Sequence, residues 1–509
     1  MTGPEVLIVG AGPTGLTLAL WLARLGVGLR IIDRAGAPGE TSRAAVVQAR
    51  ILEFYQQIGI AQRIIEGGII ADRLTVRRRR RALATAPLQA MGRGLSMFPY
   101  ILSLPQDEHE RLLVAELRTL GIEVERNAAL AGFRQGPQGV HATLETARGT
   151  ETVSTRFICG CDGAHSAVRR GMAVSFPGGT YSQIFYVADA SAHGEAAAGG
   201  VQVCISSKDF CLVFPVRNTG TVRLIGTVPP ESESKPEIGI DDVTETIVRN
   251  SGLALDKVHW FSTYHVHHRI AEHFHDGNAL LAGDAAHIHS PAGGQGMNTG
   301  IGDAVNLAWK LAAVVQGRAA ASLLDSYQSE RMAFARVLVK TTDTGFRLVT
   351  NRTFVGRLMR SVVLPTLFPL LTRIGPVRRL LFRVVSQIRI HYRGSALSRG
   401  RAGAVHGGDR LPWLDRGGAG NYASLASLDW QVHVYGVASP SLRDFLKSRG
   451  LALHELAWGE DAAAAGLARD AAYLLRPDGH VALADPAQDT AVLERYLGEF
   501  GITPRASMS

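Results

Sequence analysis

Cysteine is scarce in this sequence, with Cys159, Cys161, Cys204 and Cys211 the only four in 509 residues. They form no C-x-x-C pair and no zinc-ligand spacing. That argues against dithiol chemistry, a metal centre and a disulfide framework, and suits free thiols in a reducing cytoplasm. Long apolar runs are missing too. The most apolar stretch, Val362–Leu371, is interrupted by Pro365 and Pro369 and is too short to cross a bilayer. Acid is absent from Asn351 to Arg401, where eleven arginines stand. The formal charge of +9 is therefore one local basic surface, with the remaining residues at −2. Such a distribution does not suit binding of nucleic acid by the whole protein. The first strand-like run starts near Glu5, so a signal peptide is not expected.

What is present describes a globular protein of two or three domains, 46% hydrophobic and 19% charged. Residues Glu5 to Arg34 read as a βαβ unit. Val6-Leu7-Ile8-Val9 is a strand, Gly10-Ala-Gly12-Pro13-Thr14-Gly15 is a G-x-G-x-x-G, and a helix carries Leu16, Leu20 and Ala23 on one face. A second strand, Leu29 to Ile32, ends at Asp33 and Arg34. The glycines allow a tight turn, close approach of a pyrophosphate and close helix packing, and Asp33 can accept from an adenosine ribose. This unit alone does not separate FAD from NAD.

A second glycine-rich stretch runs from Leu280 to Lys310, LLAGDAAHIHSPAGGQGMNTGIGDAVNLAWK. An apolar strand enters the Gly283-Asp284 turn, where open α/β sheets place ligands. Pro291 and several glycines follow. From about Met297 a helix begins whose free N–H groups and positive dipole end suit an anion. A third stretch, Phe157 to Arg169, runs a strand into Asp162-Gly163, with Ser166 capping a short helix.

Between residues 176 and 276 short alternating runs predict an antiparallel sheet. Its aromatics (Tyr181, Phe185, Tyr186, Phe210, Phe214, Trp260 and Tyr264) could line an apolar cavity. His265, His267 and His268, with His287 and His289, lack a carboxylate or cysteine at ligand spacing, so no metal is expected. Arg77 to Arg81 reads as a solvated hairpin tip. Helical patches are predicted around Val355–Val363 and Val377–Ile388, an amphipathic surface or dimer contact. After Arg401 the composition changes: a strand (Gln431–Tyr435), a helix (Leu442–Arg449), another strand (Leu453–Ala457), a hairpin-like Leu475–Val481 and a last helix from Thr490 to Phe500.

Taken in order, these three signatures resemble those of the group A flavoprotein aromatic hydroxylases, the p-hydroxybenzoate and phenol hydroxylase superfamily. Ser322-Leu-Leu-Asp325-Ser-Tyr327-Gln-Ser-Glu330-Arg331 resembles the family's bracing helix, and the C-terminal region resembles the thioredoxin-like domain of the polyketide and phenol hydroxylase branch. The resemblance implies a mixed α/β and α+β fold. It consists of a Rossmann-like FAD-binding domain of glutathione reductase type (1–175 and 277–345), a substrate-binding sheet (176–276), a basic helical linker (346–401) and a thioredoxin-like domain without C-x-x-C (402–509). That last domain would be structural or dimer-forming.

The implied activity is a cytoplasmic, FAD-dependent, NAD(P)H-consuming monooxygenase. It would insert one atom of O₂ into a phenolic or polyketide-type aromatic substrate through a flavin C4a-hydroperoxide, with non-covalent FAD and with NADPH or NADH as a transient co-substrate. The resemblance assigns Gly10, Gly12, Pro13, Thr14, Gly15, Asp33 and Arg34 to the dinucleotide. Gln106 goes to the ribityl chain, Leu130 to the adenine through its backbone, Asp162 to FAD and nicotinamide, and Asp284 to ribityl or ribose hydroxyls. Gly296, Met297 and Asn298 would meet the reduced flavin's anionic edge, with Pro291 against the ring. Arg43 would serve the FAD pyrophosphate and the incoming nicotinamide cofactor. Other readings stay open: Baeyer–Villiger oxygenation on the same fold and a non-catalytic flavoprotein. A plain NAD dehydrogenase leaves Gly283–Asn298 without a role, and a flavin halogenase lacks its W-x-W-x-x-P segment.

Overall fold

The structure, a computed structural model, describes residues 3–39, 44–78, 81–197, 199–206, 209–217, 220–290, 294–350, 366–367, 370 and 374–505, the side chains of 342–350 excepted. At its centre Val6–Val9 pairs in parallel with Leu29–Asp33 on one side and Phe157–Gly160 on the other. Val124–Arg126 extends the sheet beyond Leu29–Asp33, while Ala279–Leu281 and the antiparallel His275–Asp276 close the other edge. All four residues of the first strand are buried, which is why it reads as an unbroken apolar run. Helix Pro13–Arg24 packs against helices Gly296–Val315 and Gln106–Thr119, and the meander Ala128–Gly136, Gly139–Thr146 and Gly149–Thr155 lies against the sheet.

A second sheet has eight strands and is almost wholly antiparallel. Its order runs from His287–Ile288 through Ala254–Ile270, Gly178–His193, Thr221–Thr227, Phe210–Pro215 and Val201–Ile205 to the hairpin Arg73–Arg78 and Arg81–Pro87. That hairpin carries the arginine run. Arg78 and Arg81 are exposed, but Arg77 points inward, donating to Gln202 Oε1 and pairing with Glu195 at 3.0 Å. The solvated reading therefore fails for Arg77, and residues 79 and 80 lie outside the described part. Strand alternation divides the candidate cavity aromatics. Tyr181, Phe185 and Phe210 share one apolar cluster, whereas Tyr186 lies in the cluster on helix Asp241–Ser251.

Beyond helix Asp325–Thr350 and the basic helix Gly375–Val385, a third sheet orders its strands Val405–His406, Arg399–Ala402, Val481–Asp485, Ala472–Leu475, Gln431–Tyr435 and Ala452–Leu456. Gln431–Tyr435 and Ala452–Leu456 are parallel and joined by helix Pro440–Arg449; the next two strands form an antiparallel hairpin followed by helix Thr490–Glu499. The helical patch expected at Val355–Val363 lies outside the described residues. Among the described residues no helix is long and apolar enough to cross a membrane.

Candidate functional site

Each glycine of the first loop has a distinct reason. Gly10 has φ +102° and a Cβ there would stand 2.4 Å from the Cys161 carbonyl oxygen, so the turn itself requires glycine. At Gly15 a Cβ would meet the Gly10 oxygen at 1.9 Å, so helix and strand could not close. Around Gly12 nothing described lies within 4 Å, and its φ of −78° suits any residue. The protein's own packing gives no reason for glycine at that position. A ligand pressed against the backbone gives one.

The second glycine-rich stretch meets the first most closely at Thr14. Gly283 (φ +62°) and Gly300 both face Thr14, where a Cβ on either would stand 2.6 or 2.4 Å from Thr14 Oγ1. Helix Gly296–Val315 starts one residue before the sequence suggests. It has no side-chain cap and no acid in its first turn, so the N–H groups of Gly296, Met297 and Asn298 stand at an uncompensated positive end. Asn298 itself is fully buried: it donates to the Val46 and Gly294 carbonyls and accepts from Gln48 N–H. Its side chain is thus spent on tethering residues 46–48, leaving only backbone for a ligand. Asp284 is exposed in the 3₁₀ turn Gly283–Ala285.

Asp33 closes the second strand, accepting from Ala11 N–H at 2.7 Å and Ala35 N–H at 2.8 Å. Arg34 beside it is exposed. Sequence reading missed Arg126, whose guanidinium lies 3.8 Å from Asp33 and keeps Nη2 buried without a hydrogen-bond partner. Nothing in the local sequence marks it, because only sheet order brings Val124–Arg126 beside Asp33. Leu130 is buried in the meander strand. Gln106 opens its helix and donates to Glu110, while its N–H joins the Ala44 carbonyl. In the third signature Ser166 caps the short helix Ala167–Gly171 as expected, accepting from Arg169 N–H. Asp162 Oδ2 accepts from Ala167 and Val168 N–H, and its Oδ1 is buried with no partner.

Arg43 and Pro291 lie outside the described residues. Around them, Ala44 and Ala45 bond the Leu104–Gln106 backbone, and His289 is buried beside Gly296, its pKa lowered by burial and by His287 to about 4. Beneath the site runs a buried charge cluster. Asp303 accepts from Gly283 N–H at 3.0 Å, His287 Nε2 at 2.7 Å and Arg331 Nε at 2.6 Å. Burial raises the Asp303 carboxyl, but Arg331 and His287 outweigh it and hold it at about 2. The Glu-Arg pair of the bracing helix could have suggested charge partners, though not which ones. Two open clefts of about 400 and 430 Å³ lie elsewhere, beside Arg399–Arg401 and beside His193–Gly194. Among the described residues no group of His, Cys, Asp and Glu could hold a metal.

The residues fit a flavin dinucleotide. An open backbone at Gly12, an orphaned Asp162 oxygen, an orphaned Arg126 nitrogen and an uncapped helix end converge along one edge of the parallel sheet. Fold and site together define a dinucleotide-binding flavoprotein with a second sheet beside the cofactor domain. Residues 4–342 match the family described as "FAD binding domain", and the chain belongs to it. It is 35% identical over 415 residues to 6-methylpretetramide 4-monooxygenase of Streptomyces rimosus, covering 80% of this chain and 73% of that one. Dialkyldecalin synthase of Streptomyces rugosporus is 32% identical over 507 residues, 97% of this chain and 98% of that one. Among solved structures, OxyS anhydrotetracycline hydroxylase of Streptomyces rimosus superposes with a TM-score of 0.77 at 27% identity, covering 99% and 100% of the two chains. The chain thus falls in the group of FAD-dependent aromatic hydroxylases, monooxygenases that take electrons from NAD(P)H.

Proposed function

We propose that this enzyme oxygenates a phenolic ring of a polycyclic, polyketide-type substrate. The observation that carries this is the meeting of two glycine signatures at Thr14, Gly283 and Gly300, in a chain whose second sheet carries the Tyr181, Phe185 and Phe210 cluster. Bound FAD, once reduced, supplies the activation of O₂. The protein's part is to hold, orient and keep dry. Gly10, Gly12, Pro13, Thr14 and Gly15 seat the pyrophosphate on the helix end. Asp33, Arg34, Arg126 and the Leu130 backbone hold the adenosine half. Gln106, Asp162 and Asp284 take sugar and ribityl hydroxyls, and Gly296, Met297 and Asn298 present N–H groups to the anionic edge of the reduced ring. By the family resemblance Pro291 would meet the ring, and Arg43 would bind the nicotinamide cofactor's phosphates with a planar fork that lysine does not reproduce. With one dinucleotide fold among the described residues, NADPH or NADH would be a transient visitor.

The C-terminal sheet order, with its parallel β-α-β followed by an antiparallel hairpin and helix, supports a thioredoxin-like domain at 402–509. Without C-x-x-C its role is structural or dimer-forming. A cytoplasmic homodimer is the working form we infer, with the cofactor domain formed from 1–175 and 277–345, the substrate domain from 176–276 and the basic linker from 346–401. Baeyer–Villiger oxygenation uses the same parts, and product identity separates it from hydroxylation.

A second reading is favoured by the near full-length likeness to dialkyldecalin synthase: ring construction with no oxygen inserted. Steady-state NADPH and NADH oxidation with and without a panel of phenols and polycyclic aromatics tests the difference. Oxygenation requires a substrate that stimulates NAD(P)H oxidation; a substrate converted while NAD(P)H stays intact supports the second reading. Arg43→Ala should slow flavin reduction by NAD(P)H in stopped flow and leave dithionite reduction unchanged. Parent-like reduction by NAD(P)H would remove Arg43 from that role.

A further inference from the structure

The turn Arg476-Pro477-Asp478-Gly479-His480 has the composition of a solvent hairpin, yet Arg476, Asp478 and His480 are 0%, 1% and 2% exposed. Arg476 grips Glu330 with both terminal nitrogens, at 2.7 and 3.1 Å, and Asp478 at 2.6 Å. Glu330 also accepts from Asn306 and Lys310, and Asp478 from Trp309 Nε1, all three donors on helix Gly296–Val315. Burial raises the Glu330 carboxyl, but Arg476 and Lys310 outweigh it and hold it at about 2. Arg50 donates to the Asp478 carbonyl from the helix that follows Gln48. The rings of His480 and Tyr392 lie 4.6 Å apart, and the Tyr392 hydroxyl accepts from Arg331 Nη1 at 2.9 Å. Arg331 spans the last gap, donating to the Thr299 carbonyl at 3.1 Å and to Asp303, which holds Gly283 N–H.

We propose that the hairpin Arg476–His480 is a positioning element of the flavin site, acting through Tyr392, Arg331 and Asp303. This rests on the assignment of Gly283–Asp284 and the start of helix Gly296–Val315 to the flavin. The reason is geometric. The relay's inner ends are two backbone atoms, Gly283 N and Thr299 O, at the two places that assignment puts against the cofactor. Its outer end is a turn from the far side of the chain. Every charged member is buried and paired, so displacing one leaves its partner charged in a low-dielectric interior. Residues that meet no ligand thereby fix the angle between the Asp284 turn and the helix end.

The test uses the full chain with Arg476→Met, Arg476→Lys, Tyr392→Phe and, as a control on the same sheet, Arg399→Met. FAD affinity is read on reconstituted apoprotein, and flavin absorption and midpoint potential at saturating FAD. Arg476→Met should weaken FAD binding about tenfold and Tyr392→Phe about threefold, each losing bonds to a charged group. Both should shift the flavin potential, Arg476→Lys should recover part of the loss, and Arg399→Met should match the parent. Parent-like affinity and potential in Tyr392→Phe overturn the proposal, even where Arg476→Met fails to fold. Asp284→Ala run alongside separates the two claims: unchanged FAD affinity there overturns the site assignment itself.

Discussion

Gly12 and Gly15 occupy the same motif for opposite reasons, and alanine tells them apart. At Gly15 the new methyl would sit 1.9 Å from the Gly10 oxygen, so Gly15→Ala should lower stability by about 1–3 kcal/mol or more. At Gly12 the methyl meets only open space, so Gly12→Ala should unfold in urea within about 0.5 kcal/mol of the parent. It should nonetheless bind FAD at least tenfold more weakly. Parent-like FAD affinity in Gly12→Ala would leave that glycine unexplained. The buried carboxyls give a pH signature. Asp303 and Glu330 are depressed from 3.8 and 4.5 to about 2, so the stability they contribute is present above their ordinary values and lost as pH falls toward 2. Urea midpoints should therefore hold from about pH 7 to 5 and then fall. Asp303→Asn should start lower at neutral pH, with a shallower acid limb; a limb as steep as the parent's would remove Asp303 as its source. Sequence was informative about Asp33 and Asp284 because motif spacing marks strand ends. It was silent about Arg126 and Asp303, whose partners are chosen by tertiary contact.

Among the elements, the crossing of the two glycine-bearing helices is a close fit. Gly300→Ala places a methyl 2.4 Å from Thr14 Oγ1 and 3.1 Å from Gly283 Cα. It should cost about 1–3 kcal/mol, and Thr14→Ala in the same chain should return part of that by removing the nearer contact. Denaturation of the single and double variants checks this, and strict additivity would contradict the shared contact. The βαβ unit and the start of helix Gly296–Val315 were readable within a residue or two because apolar runs and glycine punctuation agree. The Arg476–His480 turn was not, since Pro-Asp-Gly signals a turn without saying which way it faces. The arginine run misled in the same manner: alternation on its strand turns Arg77 inward to Glu195 and leaves Arg78 exposed.

At the scale of the molecule, the C-terminal region is bonded into the cofactor domain rather than appended to it. Arg410 reaches Glu53 at 2.6 Å and Arg476 reaches Glu330, both across buried ground. Deleting residues 402–509 leaves Glu53 and Glu330 each without one guanidinium, at about 3–5 kcal/mol per broken buried pair. The truncated chain should therefore aggregate or purify without flavin; a soluble truncation retaining full FAD would contradict the coupling. Fold class was legible in the sequence, whereas these cross-links join residues 357 and 146 positions apart. What the whole assembly does is decided by the fate of oxygen. Converting an accepted polycyclic phenol with NAD(P)H under heavy-isotope O₂ should give product carrying one heavy oxygen atom, formed in step with the NAD(P)H consumed. Product formed without labelled oxygen, or without NAD(P)H oxidation, would contradict oxygenation by this chain.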